Sequence, residues 1–191
     1  VVPDARPLER LDIQEMFALA YGGAKIIKAE ALRYKLPEQR LRVVSFSNGL
    51  RSFGTDITGV FPFNSFEVKE RQNLAAISLV CEISSESMSA LFSKLGQRPI
   101  YGVSTGTRSV TVFTSSENVK ELLNKLHGLG IFKAVSSREG IGMIELTHPI
   151  FVDSPGWVAK VSGALASRNI NIIEITTSKA SINISIDESR L

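Results

Sequence analysis

The sequence predicts an α+β fold of two tandem ferredoxin-like units, built on a βαββαβ plan and preceded by a helix-strand segment of different character. Three observations carry this. From Leu74 onward the apolar spacing alternates between the period of a strand and that of a helix, the alternation restarts at Gly140, and residues 1–70 share neither pattern. With 191 residues, 43% of them hydrophobic, the chain can bury a core as one large domain or two small ones.

The first unit is read over 74–139. AAISLVC is an apolar strand, and Met88, Leu91, Phe92 and Leu95 follow at i, i+3, i+4 and i+7, one stripe of a helix. IYGVSTG and SVTVFTS are short β-rich runs with Thr107 and Arg108 at their turn. Val119, Leu122, Leu123 and Leu126 repeat the helical spacing, and IFKAVSS closes the set. Two helices on one face of an antiparallel sheet result.

The second unit, 140–191, opens with GIGMIELT and a helix from Ser154 to Arg168, lined on one side by Trp157, Val161, Ala164 and Leu165. The turn Arg168-Asn169 leads into INIIEITT, and ASINISID places Ile182, Ile184 and Ile186 inward with Asn183, Ser185 and Asp187 outward. This is βαββ without a second helix and fourth strand. A partner segment or residues beyond Leu191 are expected to complete it, truncation being the preferred reading.

Ahead of these units, residues 1–58 read as a helix over about 12–36 and a strand at 41–46, too little apolar surface for a domain and therefore part of a larger body upstream. Residues 59–73 read as a linker.

The text DSPG at 153–156 specifies a helix start. Ser154 suits the N-cap, where its hydroxyl accepts from a free amide of the first turn, and Pro155 suits the first helical position, where its missing N–H is not needed. Gly156 has two readings: it strips bulk from a turn whose amides and dipole favour an anion, or it relieves crowding against a strand.

Composition excludes several classes of function. No apolar run approaches the roughly 20 residues that span a bilayer, and VVPDARPLERLDIQEMF lacks the pattern of a secretory signal, so a cytoplasmic protein without a membrane partner is expected. Cys81 lies on an apolar strand and reads as a buried, inert thiol. The net charge of +3 is spread along the chain without a dense basic run, which speaks against nucleic acid. His127 and His148 lack metal-ligand spacing, and YGGAK matches neither a nucleophile elbow nor a phosphate loop. No metal and no catalytic residue is assigned.

Two stretches carry a resemblance. VVPDARPLERLDIQEMFALAYGGAKIIKAEALRYKLPEQRLRVVSF, with FGTDI after it, resembles the end of the amino-acid-kinase domain of aspartokinases, whose chains run through a helix to Gly-Ala-Lys and leave by a Gly-Thr-Leu-Ile strand. The double βαββ text is similar to the tandem ACT regulatory domains of that family, and ITTSKASINISID to its effector-site strand pair. The resemblance implies a C-terminal remnant of an amino-acid-kinase domain over 1–58, a first ACT domain over 74–139 and an incomplete second one over 140–191. It also implies an enzyme that phosphorylates L-aspartate with Mg-dependent ATP to 4-phospho-L-aspartate, in lysine, threonine and methionine biosynthesis under feedback control.

The family's Lys-Phe-Gly-Gly loop and aspartate-binding residues match nothing in the chain, which is therefore expected to be inactive alone and to carry no cofactor. Lys25 matches the family's ATP-contacting lysine, or is a solvated lysine on a helix; Gly23 replaces a usual Phe, and Lys28-Ala29 replaces His-Pro. For the effector, lysine or threonine, the resemblance implies a site between the loop before a first helix and a strand of a neighbouring ACT unit. Ser154, Pro155, Gly156 and Trp157 form the turn whose amides would meet the carboxylate, Asp153 would pair with the ammonium, and Asn169, Ile172, Thr176, Thr177 and Ser178 would supply further partners. Trp157 fits both the core and the wall of such a site. The matching loop of the first unit, ISSESM, has neither proline nor glycine and is assigned to structure and dimerisation. A homo-oligomer through ACT domains is expected, and a free-standing ACT amino-acid sensor without catalytic activity is the alternative.

Overall fold

The computed structural model describes residues 5–61 and 65–191; residues 1–4 of the expected remnant and 62–64 of the expected linker lie outside the described residues. The elements run β1 (Arg10–Asp12), α1 (Ile13–Tyr21), α2 (Ala29–Leu32), β2 (Leu41–Val44), β3 (Gly54–Thr58), β4 (Glu67–Val80), α3 (Ser85–Leu95), β5 (Ile100–Thr105), β6 (Ser109–Ser115), α4 (Val119–His127), β7 (Ala134–Thr147), α5 (Ile150–Asp153), α6 (Trp157–Ala166), β8 (Ile172–Thr177) and β9 (Ser181–Asp187). They form two compact units. The first takes Val1–Glu67, Thr147–Pro155 and Lys179–Ser181, the second Val68–Leu146, Gly156–Ser178 and Ile182–Leu191.

In the first unit β3 lies between β1, parallel to it, and β2, antiparallel to it. A parallel neighbour requires a crossover, which α1 and α2 provide. Asp12 starts α1 with a capping box: its carboxylate accepts from the Gln14 amide at 2.8 Å, and Glu15 accepts from the Asp12 amide at 2.8 Å. The long helix expected over 12–36 is broken at Gly22-Gly23, where Gly23 turns to φ +99, a conformation that ends helical hydrogen bonding. Ile13, Met16, Phe17, Ala29, Leu32, Ile57 and Phe61 form a buried core, with Val152 and Ala180 packed against it. Residues 1–58 thus bury more than the sequence suggested. The two segments drawn from the second repeat supply the missing cover.

The second unit is a six-stranded sheet in the order β5-β6-β4-β7-β9-β8. Its halves repeat each other. The burial pattern of β6, alternating and then continuous, recurs almost unchanged in β9, and a register shift between Ile100 and Gly102 on β5 recurs between Ile172 and Glu174 on β8. The long strands β4 and β7 lie side by side at the centre, each of 14 residues. Each also turns to positive φ near its middle, at Asn73 and Gly140. Arg71 meets Glu145, and the Lys133 amide donates to the Val80 carbonyl, so the two strands run antiparallel along their length.

This exchange corrects two expectations. Residues 67–73, read as linker, are the first part of β4. They continue the strand past its pairing with β6, which begins at Leu74, and occupy the place beside β7 that the fourth strand of the second repeat would take. The strand missing from the second repeat is supplied by the chain's own first repeat.

Two cores sandwich the sheet. Ile77, Leu79, Val110 and Val112 meet Leu91 and Leu95 of α3 and Leu122 and Leu126 of α4 on one face. Leu74, Ala76, Phe113, Ile141 and Met143 pack together on the other. That second face is closed because the sheet curls until its edge strands meet: Ser104 Oγ on β5 donates to Glu174 Oε1 on β8 at 3.1 Å. Ser185, expected to face outward, is consequently 2% exposed. Cys81 is buried, as expected.

Candidate functional site

The DSPG turn is built differently from the expected helix cap. The short α5 ends at Ser154, whose amide donates to the Ile150 carbonyl at 3.0 Å, so Ser154 closes one helical turn and does not cap the next. Gly156, at φ 88 and ψ 3, precedes Trp157 as the N-cap of α6 and offers no side chain to it. Proline followed by a glycine at positive φ is the signature of a type II turn. Nothing lies within 4 Å of where a Cβ on Gly156 would sit, so crowding does not explain the glycine. Its conformation does.

Asp153 is already engaged inside the first unit. Its carboxylate is ion-paired with Arg33 and accepts a hydrogen bond from the Tyr21 hydroxyl at 3.0 Å. The same Arg33 nitrogen, Nη2, donates to the Pro149 carbonyl at 3.3 Å. Burial, followed by the hydrogen bond and charge of Asp153, raises the pKa of Tyr21. On the neighbouring segment Lys179 Nζ donates to the Ala18 carbonyl of α1 at 2.9 Å, near the end of the helix where exposed carbonyls favour a cation. Arg33, Tyr21 and Lys179 were not foreseen. Each lies more than a hundred residues from its partner, and no local spacing connects them.

Asp153, Ser154 and Pro155 belong to the first unit; Gly156, Trp157, Asn169, Ile172, Thr176, Thr177 and Ser178 belong to the second. Trp157 is half-buried, with Lys160 Nζ at 4.3 Å from its ring centroid. Asn169 takes φ 54 in the turn that closes α6, where its amide donates to Ala166. Asparagine tolerates that geometry better than most residues. Ile172 pairs with Ile186, Thr176 with Asn183 and Thr177 with Ile182. Thr176 also faces Gly102 at the seam of the curled sheet, while Thr177 and Ser178 are exposed. Lys25, expected on a helix, lies exposed in the turn after α1 and lines a cavity of about 570 Å³ with Tyr21, Gly23, Ile26, Lys28 and Glu30. Among the described residues no group of three potential metal ligands comes together, and no helix is long and apolar enough to cross a membrane.

No family model matches the chain. Among characterised proteins it is similar to the aspartokinase of Corynebacterium efficiens, 25% identical over an alignment that takes in the whole chain and 50% of the relative. The chain spans about half the length of the curated relatives it matches. Among solved structures, aspartate kinase from Synechocystis superposes on 98% of the chain with TM-score 0.69 at 22% identity, using 37% of its own length. The regulatory subunit of aspartate kinase from Thermus thermophilus superposes on 64% of the chain with TM-score 0.54 at 21% identity, using 87% of its own length. Along its whole length the chain is similar in sequence to aspartokinases, and in fold it is similar to aspartate kinase and to a regulatory subunit of aspartate kinase.

Proposed function

We propose that the chain is the amino-acid-sensing regulatory part of an aspartokinase, an enzyme that uses Mg-dependent ATP to phosphorylate L-aspartate and is inhibited by an end-product amino acid. One observation carries this reading: two βαββ repeats exchange their central strands in one sheet, and this architecture joins, in a single chain, a unit whose text resembles the exit of an amino-acid-kinase domain. A free-standing sensor would have no use for the second feature.

The effector is lysine or threonine, a zwitterion whose carboxylate is suited to the amides and positive dipole end at the start of α6 and whose ammonium is suited to carboxylate and carbonyl acceptors. Gly156 and Trp157 are the strongest candidates. Asp153 is a weaker one than the sequence implied, because Arg33 and Tyr21 already claim its oxygens. Ser154, Pro155, Asn169, Ile172, Thr176, Thr177 and Ser178 remain proposed neighbours, and Lys25 remains proposed for nucleotide in the intact enzyme. The setting is cytoplasmic and the assembly a homo-oligomer.

Calorimetry of the chain with lysine and with threonine tests the reading. Saturable heat with one of them is expected, together with no aspartate-dependent consumption of ATP, since the groups that position and stabilise a transferring phosphoryl are not among these residues. Absence of heat with both amino acids, for the chain in its assembled state, would remove the sensing role.

A further inference from the structure

Two segments that belong by sequence to the second repeat, 147–155 and 179–181, fold into the first unit. They directly precede and follow the stretch 156–178, which carries most of the proposed effector contacts. The bonds Pro155–Gly156 and Ser178–Lys179 are therefore the covalent exits through which any rearrangement of that stretch reaches the first unit. Both exits are fastened. Asp153 is tied to Arg33, which follows α2, and to Tyr21, the last residue of α1; Lys179 is tied to the Ala18 carbonyl of α1. The His148 amide donates to the Ala180 carbonyl at 2.9 Å, so the two segments are also joined to each other.

The character of the main tie suits a contact that exchanges. Arg33 uses Nη2 alone for both Asp153 and Pro149, while its Nε is buried without a hydrogen-bond partner. A guanidinium optimised for stability would present two nitrogens to the carboxylate, and a buried donor without an acceptor is costly. Asp153 keeps 40% of its side chain exposed, within reach of solvent and competing cations.

We infer that Arg33, acting through Asp153, is the positioning residue that couples amino-acid occupancy of 156–178 to helices α1 and α2. This rests on the amino-acid-sensing reading above. Replacing or shifting the partner of Asp153 frees Arg33, and the ends of α1 and α2 lose a shared anchor. The Lys179 contact is the second strand of the same connection.

The experiment is backbone hydrogen exchange on the full chain, with and without saturating lysine or threonine, beside calorimetry on the same samples. In the parent the effector is expected to alter exchange of the α1 and α2 amides by at least about fivefold, the lower range of allosteric coupling. Arg33→Met is expected to keep the calorimetric binding while confining the exchange response to 156–178. Lys179→Met, an exposed substitution that spares the core, is expected to reduce the response of α1 in the same direction and serves where Arg33→Met does not fold. Binding with an undiminished response of α1 and α2 in the variants overturns the coupling alone. No binding of either amino acid by the parent overturns the sensing reading, and the coupling with it.

Discussion

At the scale of single residues, Gly156 and Asp153 differ in kind although they are only three positions apart. Gly156 is fixed by backbone conformation: any side chain at φ 88 is strained, whatever the space around it. Gly156→Ala is therefore expected to lower stability by about 1–2 kcal/mol, read as a fall in the thermal midpoint, before any effect on ligand is considered. Asp153 is fixed by partners. The sequence reads Ser154 as the cap of the following helix, whereas Ser154 closes α5 and α6 starts at Gly156. Asp153→Ala leaves Arg33 and Tyr21 without their shared acceptor. A loss of about 1–2 kcal/mol is expected, toward the lower part of the range for unpaired polar groups because solvent reaches the carboxylate. Arg33→Met with Asp153→Ala should cost less than the sum of the two singles, and additive costs in denaturant titrations would count against the pairing.

At the scale of elements, legibility followed the length of the periodic signal. Helices α3 and α4 were predicted from four apolar residues each, and seven of those eight side chains are buried or pack on the edge of the core: Met88, Leu91, Leu95, Val119, Leu122, Leu123 and Leu126. The break between α1 and α2 was less legible, because apolar spacing continues through a glycine pair that only conformation interrupts. The front half of β4, EVKERQN, was hidden for another reason. Its charged residues resemble a linker, and it becomes a strand because β7 offers a hydrogen-bonding edge beside it. The pH response of the first unit is likewise an element property, since Asp56 on β3 accepts from Arg42 on β2 at 2.7 and 2.8 Å and from Arg40 at 3.3 Å. These bonds hold its carboxyl well below the ordinary carboxylate range. A depressed native pKa gives stability that is complete above the unfolded value, about 3.9 for aspartate, and is lost as pH falls below it. Tyr21 works in the opposite direction: with its native pKa raised, its contribution is complete below about 10 and is lost as pH rises through the native value. Thermal midpoints followed across pH should fall at both ends, with Asp56→Asn flattening the acid limb and Tyr21→Phe the alkaline one.

At the scale of the molecule, the expected homo-oligomer needs a surface on which to form. An open sheet edge is one such surface, since its unpaired backbone groups invite a strand from a second copy. In the second unit the edge strands β5 and β8 instead face each other and are bridged by Ser104 and Glu174, so neither is available without opening the curl. Helix α6 is the better candidate surface. Helices α1, α3 and α4 each bury at least three residues, whereas α6, with the apolar sequence WVAKVSGALA, buries none, and Val158 is 41% exposed. A helix that is apolar around most of its circumference is stable in water only when something covers it. A second copy is the occupant that the repeat itself favours, because two α6 helices related by a twofold axis present the same apolar residues to each other. Light scattering at micromolar concentration is expected to give a dimer for the parent. Val158→Glu should raise its dissociation constant by at least about tenfold, the penalty for bringing two carboxylates to the centre of an apolar contact. Ser104→Ala, which loosens the seam between β5 and β8, should leave the dimer in place; its loss in that variant, with Val158→Glu still dimeric, would return the interface to the sheet edge.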